Sequence, residues 1–424
     1  MVSRLKVLVS AFACDPLAGS EAAVGFGFVS ALAKHHDLWV LTAAFNQPNL
    51  SQVEVPGAHF VYVPDRPWHY RPTRGWRHVE SSLLKPLMNF AYGSWLREAF
   101  GVGRRLHSEI GFDLVHQLTY VAYRFPGRLY ELPIPFVWGP IGGIEDTPWR
   151  VLGLMSPRGA AFFAARNLVN TMQRRFLSGP RHAFEKARGG AFAATSRVAA
   201  CILDTYGTEA EVICEVGPPV RGLGEGLEVP GGSVRDPGEP LRVSWSGLHL
   251  PGKALPLLLG ALAKLGSSIP IELSVLGQGP ETAAWQTQAR VLGLSRITWH
   301  GLLPRARALE IVRGSHVFVI TSLKDLTSTV LLEALALGVP VVALDHCGFK
   351  DVLTPKCGIL VRVSSKVQIE RDLASALTRL FHDEGLRQAL ALGALERVEA
   401  YSWEEKARRV CELYERAVTR RVTS

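Results

Sequence analysis

The sequence predicts an α/β protein built from two doubly wound domains. Short apolar runs alternate with helical patterns along most of the chain, which is typical of parallel sheets covered by helices. This alternation breaks once, at residues 217–240, where Gly and Pro are dense. The 424 residues also exceed one typical domain. Because ligands bind at the carboxyl ends of parallel strands, we expect the two domains to face a cleft.

The first half, residues 1–216, opens with a strand, a loop, a helix and a second strand. The run at 5–10 is apolar, and a helical pattern at 21–34 places Val24, Phe28 and Leu32 on one face. The next apolar run is at 38–42. Later strands of this half are predicted at residues 112–119, 134–138 and 191–195.

The second half, residues 241–400, repeats the alternation after the 217–240 linker. Strands are predicted at residues 241–246, 271–276, 297–300, 317–321 and 339–343. Helices are predicted at residues 255–265, 282–292, 306–313 and 329–337. We expect a last helix at 401–424 to cross back to the first domain.

The cysteines and the hydropathy favour a cytoplasmic protein. The six cysteines form no CxxC pair and show no zinc-ligand spacing, so a reducing compartment is expected. The apolar stretch at 7–13 resembles a very short signal peptide, but a buried first strand is the better interpretation. No apolar run reaches the roughly 18 residues that a membrane-spanning helix needs.

The charge is positive and concentrated in two stretches. The chain has 47 Lys and Arg against 38 Asp and Glu, a formal net charge of +9, which favours anionic partners. Basic residues and aromatic residues are interleaved at 66–105 and at 150–188. This mixture predicts peripheral contact with an anionic membrane surface, the alternative being a solvated helical hairpin. No nucleic-acid motif accompanies it, so no nucleic acid is expected.

The densest chemical signal lies at residues 321–348. A strand ends near Thr321, a polar turn follows, and a helix begins near Ser328 or Thr329. Asp325 precedes this helix and Glu333 lies eight residues later. The backbone N–H groups at such a helix start suit a phosphate, and Glu333 could accept hydrogen bonds from a ribose diol. An N-capping Asp and a solvent-facing Glu are the alternative.

This segment resembles the donor site of retaining glycosyltransferases of family 4, in which two acidic residues are separated by seven others. The resemblance continues through Glu333-Ala334, Gly338 and Pro340. Weaker matches occur in the family's order at residues 19–21, 112–116, 194–196, 273–280 and 299–304. The resemblance implies the GT-B architecture, in which the second domain binds a nucleotide-sugar and the first holds the acceptor. It also implies no metal and no cofactor, and the chain has no Asp-x-Asp motif in the expected place.

The resemblance assigns roles to individual residues. Glu333 would bind the ribose, Asp325 would lie next to the donor sugar, and Lys253 would neutralise the leaving diphosphate. His116 would contact the sugar, or would be a hydrogen-bonded residue at a strand end. The remaining donor-side candidates are Gly19, Gly247, Gly277, Leu326, Thr327 and Ser328. The acceptor-side candidates are Glu21, Gly142, Gly143 and Glu145.

Two departures from the family pattern leave alternatives open. The first acidic residue is Asp325 rather than Glu, and Leu248 stands where the family has a second cation, which His249 or Arg305 could replace. A weak or inactive GT-B subunit that binds a partner transferase is therefore one alternative, and a GT-B sugar-nucleotide epimerase is another. The main expectation is transfer from a UDP- or GDP-type sugar to a saccharide or lipid-linked acceptor, in surface polysaccharide or glycoconjugate synthesis.

Overall fold

The computed structural model describes residues 4–64, 85–219, 234–266 and 269–423. The chain forms two compact units. Unit 1 takes the described residues of Met1–Glu145, Asn170–Gly217 and Trp403–Ser424, and unit 2 takes those of Asp146–Val169 and Pro218–Ser402. Each unit has its own parallel sheet, which confirms the predicted α/β class with two doubly wound domains.

Unit 1 is built on a parallel sheet whose first strand lies in its interior. Its strands in the described residues are β1 (Lys6–Ala11), β2 (Asp37–Ala43), β3 (Ala58–Val63), β4 (Leu114–Thr119), β5 (Phe136–Ile141), β6 (Ala191–Ala193) and β7 (Glu211–Val212). Their order across the sheet is β3-β2-β1-β4-β5-β6-β7. The central strands β4 and β5 are buried along their whole length, as expected for parallel strands covered on both faces. The order reverses between β1 and β4, so the switch point of this unit lies there.

The described helices of the first 216 residues lie between the strands, three of them in succession after β5. They are α1 (Glu21–Leu32), α2 (Gln47–Leu50), α3 (Lys85–Ile110), α4 (Trp149–Leu152), α5 (Pro157–Phe176), α6 (Ser178–Lys186) and α7 (Ser196–Tyr206). Local sequence sets the ends of α7. The Thr195 side chain accepts a hydrogen bond from the Val198 amide at its start, and Gly207 ends it in the left-handed conformation.

Unit 2 has a six-stranded parallel sheet in the described residues. Its strands are β8 (Leu241–Ser246), β9 (Ile271–Leu276), β10 (Ile297–Gly301), β11 (Val317–Ile320), β12 (Val341–Leu344) and β13 (Gly358–Val361), in the order β10-β9-β8-β11-β12-β13. Its later helices are α8 (Leu255–Leu265), α9 (Thr282–Val291), α10 (Arg305–Arg313), α11 (Thr329–Ala336), α12 (Phe349–Val352), α13 (Lys366–His382) and α14 (Glu384–Glu399). The switch point of unit 2 therefore lies between β8 and β11.

Two segments pack with a unit from which they are separated along the chain. The last helix, α15 (Trp403–Thr423), belongs to unit 1, where the Trp403 ring lies 5.4 Å from the Phe28 ring. Residues 146–169 belong to unit 2, although the sequence places them within the first domain. The reason is packing, because Val151 is part of the hydrophobic core of unit 2.

Two sequence predictions fall partly outside the described residues. For the predicted linker these are residues 220–233. For the first basic stretch they are residues 66–84, which include Trp68, Tyr70 and Trp76. No helix in the described ranges is long and apolar enough to cross a bilayer. All six cysteines are free.

Candidate functional site

The switch point of unit 2 brings together a cation and a carboxylate that are 72 positions apart in the chain. Lys253 follows β8 and ends a short 3-10 helix, Pro251–Lys253, while Asp325 follows β11. The Lys253 ammonium donates a hydrogen bond to the Asp325 carboxylate. Each side chain is 19% exposed, so the pair is partly desolvated but still reachable by a ligand. The sequence predicted both residues, and the structure places them in contact.

Buried side chains behind this pair hold its backbone in place. The Thr321 hydroxyl donates to the Lys253 carbonyl oxygen at 2.8 Å and accepts from the Trp245 indole N–H at 3.0 Å. Trp245 and Thr321 are both buried. Buried hydrogen bonds therefore fix the backbone position of Lys253.

The loop between Asp325 and helix α11 has an unusual backbone. The Asp325 carboxylate accepts from the Leu326 amide at 3.1 Å, and the Leu326 carbonyl accepts from the Gly348 amide at 2.7 Å. Thr327 is buried, whereas Ser328 has φ of 75° immediately before the helix. A non-glycine residue in the left-handed region carries strain, which is typical of functional sites. The predicted N-capping role of Asp325 is not what the structure shows, because Ser328 holds the N-cap position.

Glu333 is paired with Arg305, a contact that the sequence did not predict. One carboxylate oxygen of Glu333 accepts from Nε of Arg305 at 2.9 Å and lies 2.8 Å from a terminal guanidinium nitrogen. The Glu333 side chain is 12% exposed and that of Arg305 is 52% exposed. The expected alternative of a solvent-facing Glu333 is therefore wrong, because the carboxylate is largely buried and held by an arginine.

The glycines of the neighbouring loops are required by close packing. A Cβ on Gly277 would lie 2.0 Å from the Gly247 carbonyl oxygen, and Gly277 has φ of 106°. A Cβ on Gly279 would lie 2.7 Å from the His249 carbonyl oxygen. These distances leave no room for a side chain, so the loops after β8 and β9 pack backbone against backbone. Both loops carry predicted donor residues, but this packing explains Gly277 without a ligand.

The structure also shows the residues around position 248, where the family pattern has a second cation. The Leu248 side chain is half exposed. His249 is buried, bonds through Nδ1 to the Thr282 hydroxyl at 2.8 Å, and burial lowers its pKa to about 4. A neutral imidazole cannot replace an arginine, and Arg305 is already paired with Glu333. Of the two candidates for compensation, His249 therefore carries no positive charge near neutral pH and the Arg305 guanidinium is engaged by Glu333.

The switch point of unit 1 is organised around Glu21, the first residue of helix α1. Its carboxylate accepts a hydrogen bond from the Val121 amide in the loop after β4. Burial raises the pKa of this carboxyl to about 7, the Val121 amide opposes the rise, and the charge of Glu215 adds to it. The Thr119 hydroxyl ties the same loop to Ala13, donating to its carbonyl oxygen at 3.0 Å. Glu21 thus joins the loops on both sides of the switch point.

Gly19 and Ser20 shape the loop that leads to Glu21. Ser20 has φ of 57°, so the chain turns sharply just before the helix. A Cβ on Gly19 would meet no atom of the described residues within 4 Å. The role predicted for Gly19, close approach to a diphosphate, stays a prediction.

His116, on strand β4, is hydrogen-bonded to two other residues of unit 1. It is fully buried, its Nε2 lies 2.8 Å from the Gly139 carbonyl oxygen and its Nδ1 lies 2.7 Å from the Tyr414 hydroxyl. Burial lowers its pKa to about 4, so the ring is neutral, with Nε2–H donating and Nδ1 accepting. These contacts favour the structural interpretation of His116 over the catalytic one.

The loop after β5, with Gly142, Gly143 and Glu145, is held by side chains that the sequence did not single out. Arg124 donates to the Gly143 carbonyl oxygen at 3.1 Å, and Asn170 donates to the Ile144 carbonyl oxygen at 2.8 Å. Glu145 itself is buried. A local sequence pattern could not predict these contacts, because Asn170 lies 26 positions from Ile144.

Within the described ranges no group of three His, Cys, Asp or Glu side chains is arranged to hold a metal ion. The expected independence of metal and cofactor stays a prediction.

Comparison with known proteins finds a family match within unit 2. Residues 240–383 match the family model described as "Glycosyl transferases group 1". A relative named D-inositol 3-phosphate glycosyltransferase, from a Nocardioides species, is 36% identical over 99 residues, which is 23% of this chain. The matched segment spans only 21% of that relative's length.

Solved structures resemble the whole chain. Sucrose-phosphate synthase from Thermosynechococcus elongatus has a TM-score of 0.66 at 18% identity, covering 97% of this chain and 99% of that one. HepE from Anabaena in complex with UDP-glucose has a TM-score of 0.59 at 15% identity, covering 96% and 99%. These likenesses show the GT-B fold, as the resemblance of the 321–348 segment implied.

Proposed function

Since residues 240–383 match the family model described as glycosyl transferases group 1 and the chain has the GT-B fold, we propose that the protein is a retaining glycosyltransferase. It transfers a sugar from a nucleotide-sugar, of the UDP or GDP type, to a hydroxyl of a saccharide or lipid-linked acceptor. The observation that carries the proposal is the Lys253–Asp325 pair at the switch point of unit 2, with Glu333 in the next helix.

Lys253 serves the leaving group. Departure of a nucleoside diphosphate leaves negative charge on the β-phosphate, and a fixed cation stabilises that charge more in the transition state than in the ground state. The ammonium has three N–H donors and gives one to Asp325, so it can bind a phosphate oxygen without losing its partner. The strained turn would bind the same diphosphate or the sugar through the amides of Thr327 and Ser328, because the Leu326 amide donates to the Asp325 carboxylate.

Asp325 and Glu333 serve the sugar and the ribose. Asp325 is at the mouth of the loop, where its carboxylate can accept from a sugar hydroxyl. Glu333 accepts from the ribose diol while Arg305 orients its carboxylate. Asp325 is one methylene shorter than the usual Glu, so the sugar binds correspondingly closer to the loop.

Unit 1 supplies the acceptor side. Glu21 has a carboxyl with a raised pKa, which suits a group that exchanges hydrogen bonds with a neutral hydroxyl. The glycine loop at Gly142 and Gly143 shapes the remaining surface. The relative named D-inositol 3-phosphate glycosyltransferase supports a hydroxyl acceptor on a small polyol or saccharide.

A donor panel tests the proposal. The purified chain is incubated with UDP-, GDP- and ADP-sugars, and release of the nucleoside diphosphate is measured with and without candidate acceptors. We expect release from one nucleotide class, with the anomeric configuration of the donor kept in the product. No release from any donor would contradict the proposal and would favour a subunit that only binds a partner transferase.

The variant Glu333→Ala assigns the site. Loss of the ribose contact should raise KM for the donor by about tenfold or more, since a charged hydrogen bond contributes about 1.5–3 kcal/mol. Glu310→Ala is the matched control, because Glu310 pairs with Arg307 on α10 in a more exposed ion pair. Equal kinetics for Glu333→Ala and the control would contradict the assignment.

A further inference from the structure

Helix α5, Pro157–Phe176, is oriented against the usual pattern, because its polar face is buried and its apolar face is exposed. A helix on a protein surface normally does the reverse. Asn167 and Asn170 are 5% and 2% exposed, whereas Met172 and Phe176 are 61% and 71% exposed. Hydrogen bonds on the polar face fix this orientation.

The polar face of α5 is fixed by hydrogen bonds to the loop after β5. Asn167 accepts from the Thr147 amide at 2.9 Å and donates to the Thr147 carbonyl at 2.7 Å. Asn170 and Arg174 donate to the Ile144 carbonyl at 2.8 and 2.7 Å. Positions 167, 170 and 174 follow helical spacing and lie on one side. Rotating the helix to hide its apolar side would break all of these bonds.

The apolar face runs the length of the helix on the opposite side. At about 100° per residue, its members lie roughly half a turn away from Asn167 and Asn170. They are Phe162, Leu168, Val169, Met172 and Phe176, all exposed. From the first to the last they span about 21 Å. Monomeric soluble proteins rarely leave such a continuous apolar surface uncovered, so it marks an interaction site.

The charges on α5 indicate the kind of partner. The helix carries Arg158, Arg166, Arg174 and Arg175 and has no acidic residue. Helical spacing places Arg175 and Arg166 on the two flanks of the apolar face, with Arg158 near its amino end. An apolar face bordered by arginines is the pattern of a helix that lies in the interface of an anionic membrane. The arginine stems pack along the apolar boundary while their guanidinium groups reach lipid phosphates.

We propose that the exposed face of α5 docks on an anionic lipid surface, with the helix axis parallel to the membrane. A second copy of this chain fits the face poorly, because two such faces would bring six flanking arginines together and α5 has no acidic residue to pair with them. The docking is independent of whether the protein transfers sugars. It has a geometric consequence, because the opposite side of the same helix holds the Gly142–Glu145 loop proposed for the acceptor.

Vesicle flotation with the full chain tests the proposal. Vesicles of phosphatidylcholine alone are compared with vesicles that also contain phosphatidylglycerol, at low and at high salt. We expect binding only to the anionic vesicles, weakened by salt because the attraction falls off within a Debye length. No binding at low salt would overturn the proposal.

Two sets of variants localise the contact. Met172→Gln with Phe176→Gln keeps the charge and should weaken vesicle binding by more than about tenfold, through lost apolar burial. Arg158→Gln with Arg175→Gln should weaken it by about fivefold per arginine. Leu392→Gln, at a 65% exposed leucine on α14, is the control and should bind like the wild type.

The oligomeric state separates the membrane from a protein partner. Light scattering is measured on the wild type and on the Met172→Gln, Phe176→Gln variant, with circular dichroism to verify folding. We expect the same mass for both. A wild-type dimer that the variant dissociates, with vesicle binding unchanged, would overturn the proposal and assign the face to self-association.

Discussion

The two units share one strand arrangement around their switch points, but the groups placed there differ. In unit 2 the loops after β8 and β11 meet through an ion pair, Lys253 with Asp325. In unit 1 the loops after β1 and β4 meet through Glu21, whose partner is a backbone amide. In the proposed function, the cation of the first arrangement stabilises the anionic leaving group. The second holds a carboxyl with a raised pKa, suited to a neutral hydroxyl. The same sheet edge therefore supports two chemistries, because function resides in the loops rather than in the fold.

Removing the cation of unit 2 should have the largest effect. We expect Lys253→Ala to lower kcat by about 10²–10³, the cost of losing one preorganised charge-stabilising group. Steady-state rates with the donor found active in the panel measure it. Lys264→Ala is the matched control, since Lys264 pairs with Glu370 at the far end of α8. A kcat for Lys253→Ala equal to that of the control would show that the switch point of unit 2 is not the donor site.

Glu21→Gln tests the carboxyl of unit 1. Its pKa in the folded protein is about 7, above its ordinary value of 4.5, so the folded state holds this proton more tightly than the unfolded state. Stability that is present at low pH is therefore lost as the pH rises through about 4.5 to about 7, by up to about 3 kcal/mol. Glutamine keeps the acceptor for Val121 and removes the titration, so urea unfolding of the variant should lose this part of the pH dependence.

The exposed Glu54→Gln serves as the control and should keep the wild-type pH profile. If Glu21→Gln also kept it, Glu21 would titrate like a solvated acid, and the contrast between the two switch points would fail.

The close approach of the loops in unit 2 gives the third effect. Gly277→Ala places a Cβ 2.0 Å from the Gly247 carbonyl oxygen and should cost about 2 kcal/mol of unfolding free energy. Gly293→Ala is the control, because Gly293 also has positive φ, 70°, but no described atom lies within 4 Å of its added Cβ. The excess over the control isolates the clash from the backbone strain.

Unit 1 has a similarly close approach of a glycine to a backbone carbonyl, so the two units can be compared directly. A Cβ on Gly25 would lie 2.0 Å from the Ala13 carbonyl oxygen. Gly25→Ala should destabilise to a similar degree as Gly277→Ala, while only Gly277→Ala should also weaken donor binding. Equal loss of donor binding in both variants would mean that the donor contacts both loops alike.

Tyr414→Phe gives the smallest effect and decides between the two interpretations of His116. Removing the hydroxyl leaves Nδ1 of the buried imidazole without its partner, which should cost about 1 kcal/mol of unfolding free energy. We expect kcat of the folded variant to be unchanged. A large fall in kcat at unchanged stability would restore a role for His116 in catalysis.

The sequence predicted most elements of unit 2 closely and missed edge strands in both units. Strands β8 and β9 begin and end where predicted, because each is a short apolar run bounded by turn residues. Strands β3, β7 and β13 were not predicted. They lie at the edges of the sheets, where β3 alternates only weakly and β7 has two residues. Pairing with a neighbour, rather than local pattern, makes these segments strands.

The sequence by itself predicted the two-domain α/β class from its periodicity, and its resemblance to family 4 glycosyltransferases pointed to Lys253, Asp325 and Glu333 as one set. Only the tertiary structure decided that Glu333 pairs with Arg305, that Tyr414 buries His116, and that residues 146–169 join unit 2. It also decided which face of α5 is exposed. The physical reason is distance along the chain. The Glu333–Arg305 and His116–Tyr414 contacts join residues 28 and 298 positions apart, and their free energy comes from burial and hydrogen bonds that no local pattern records.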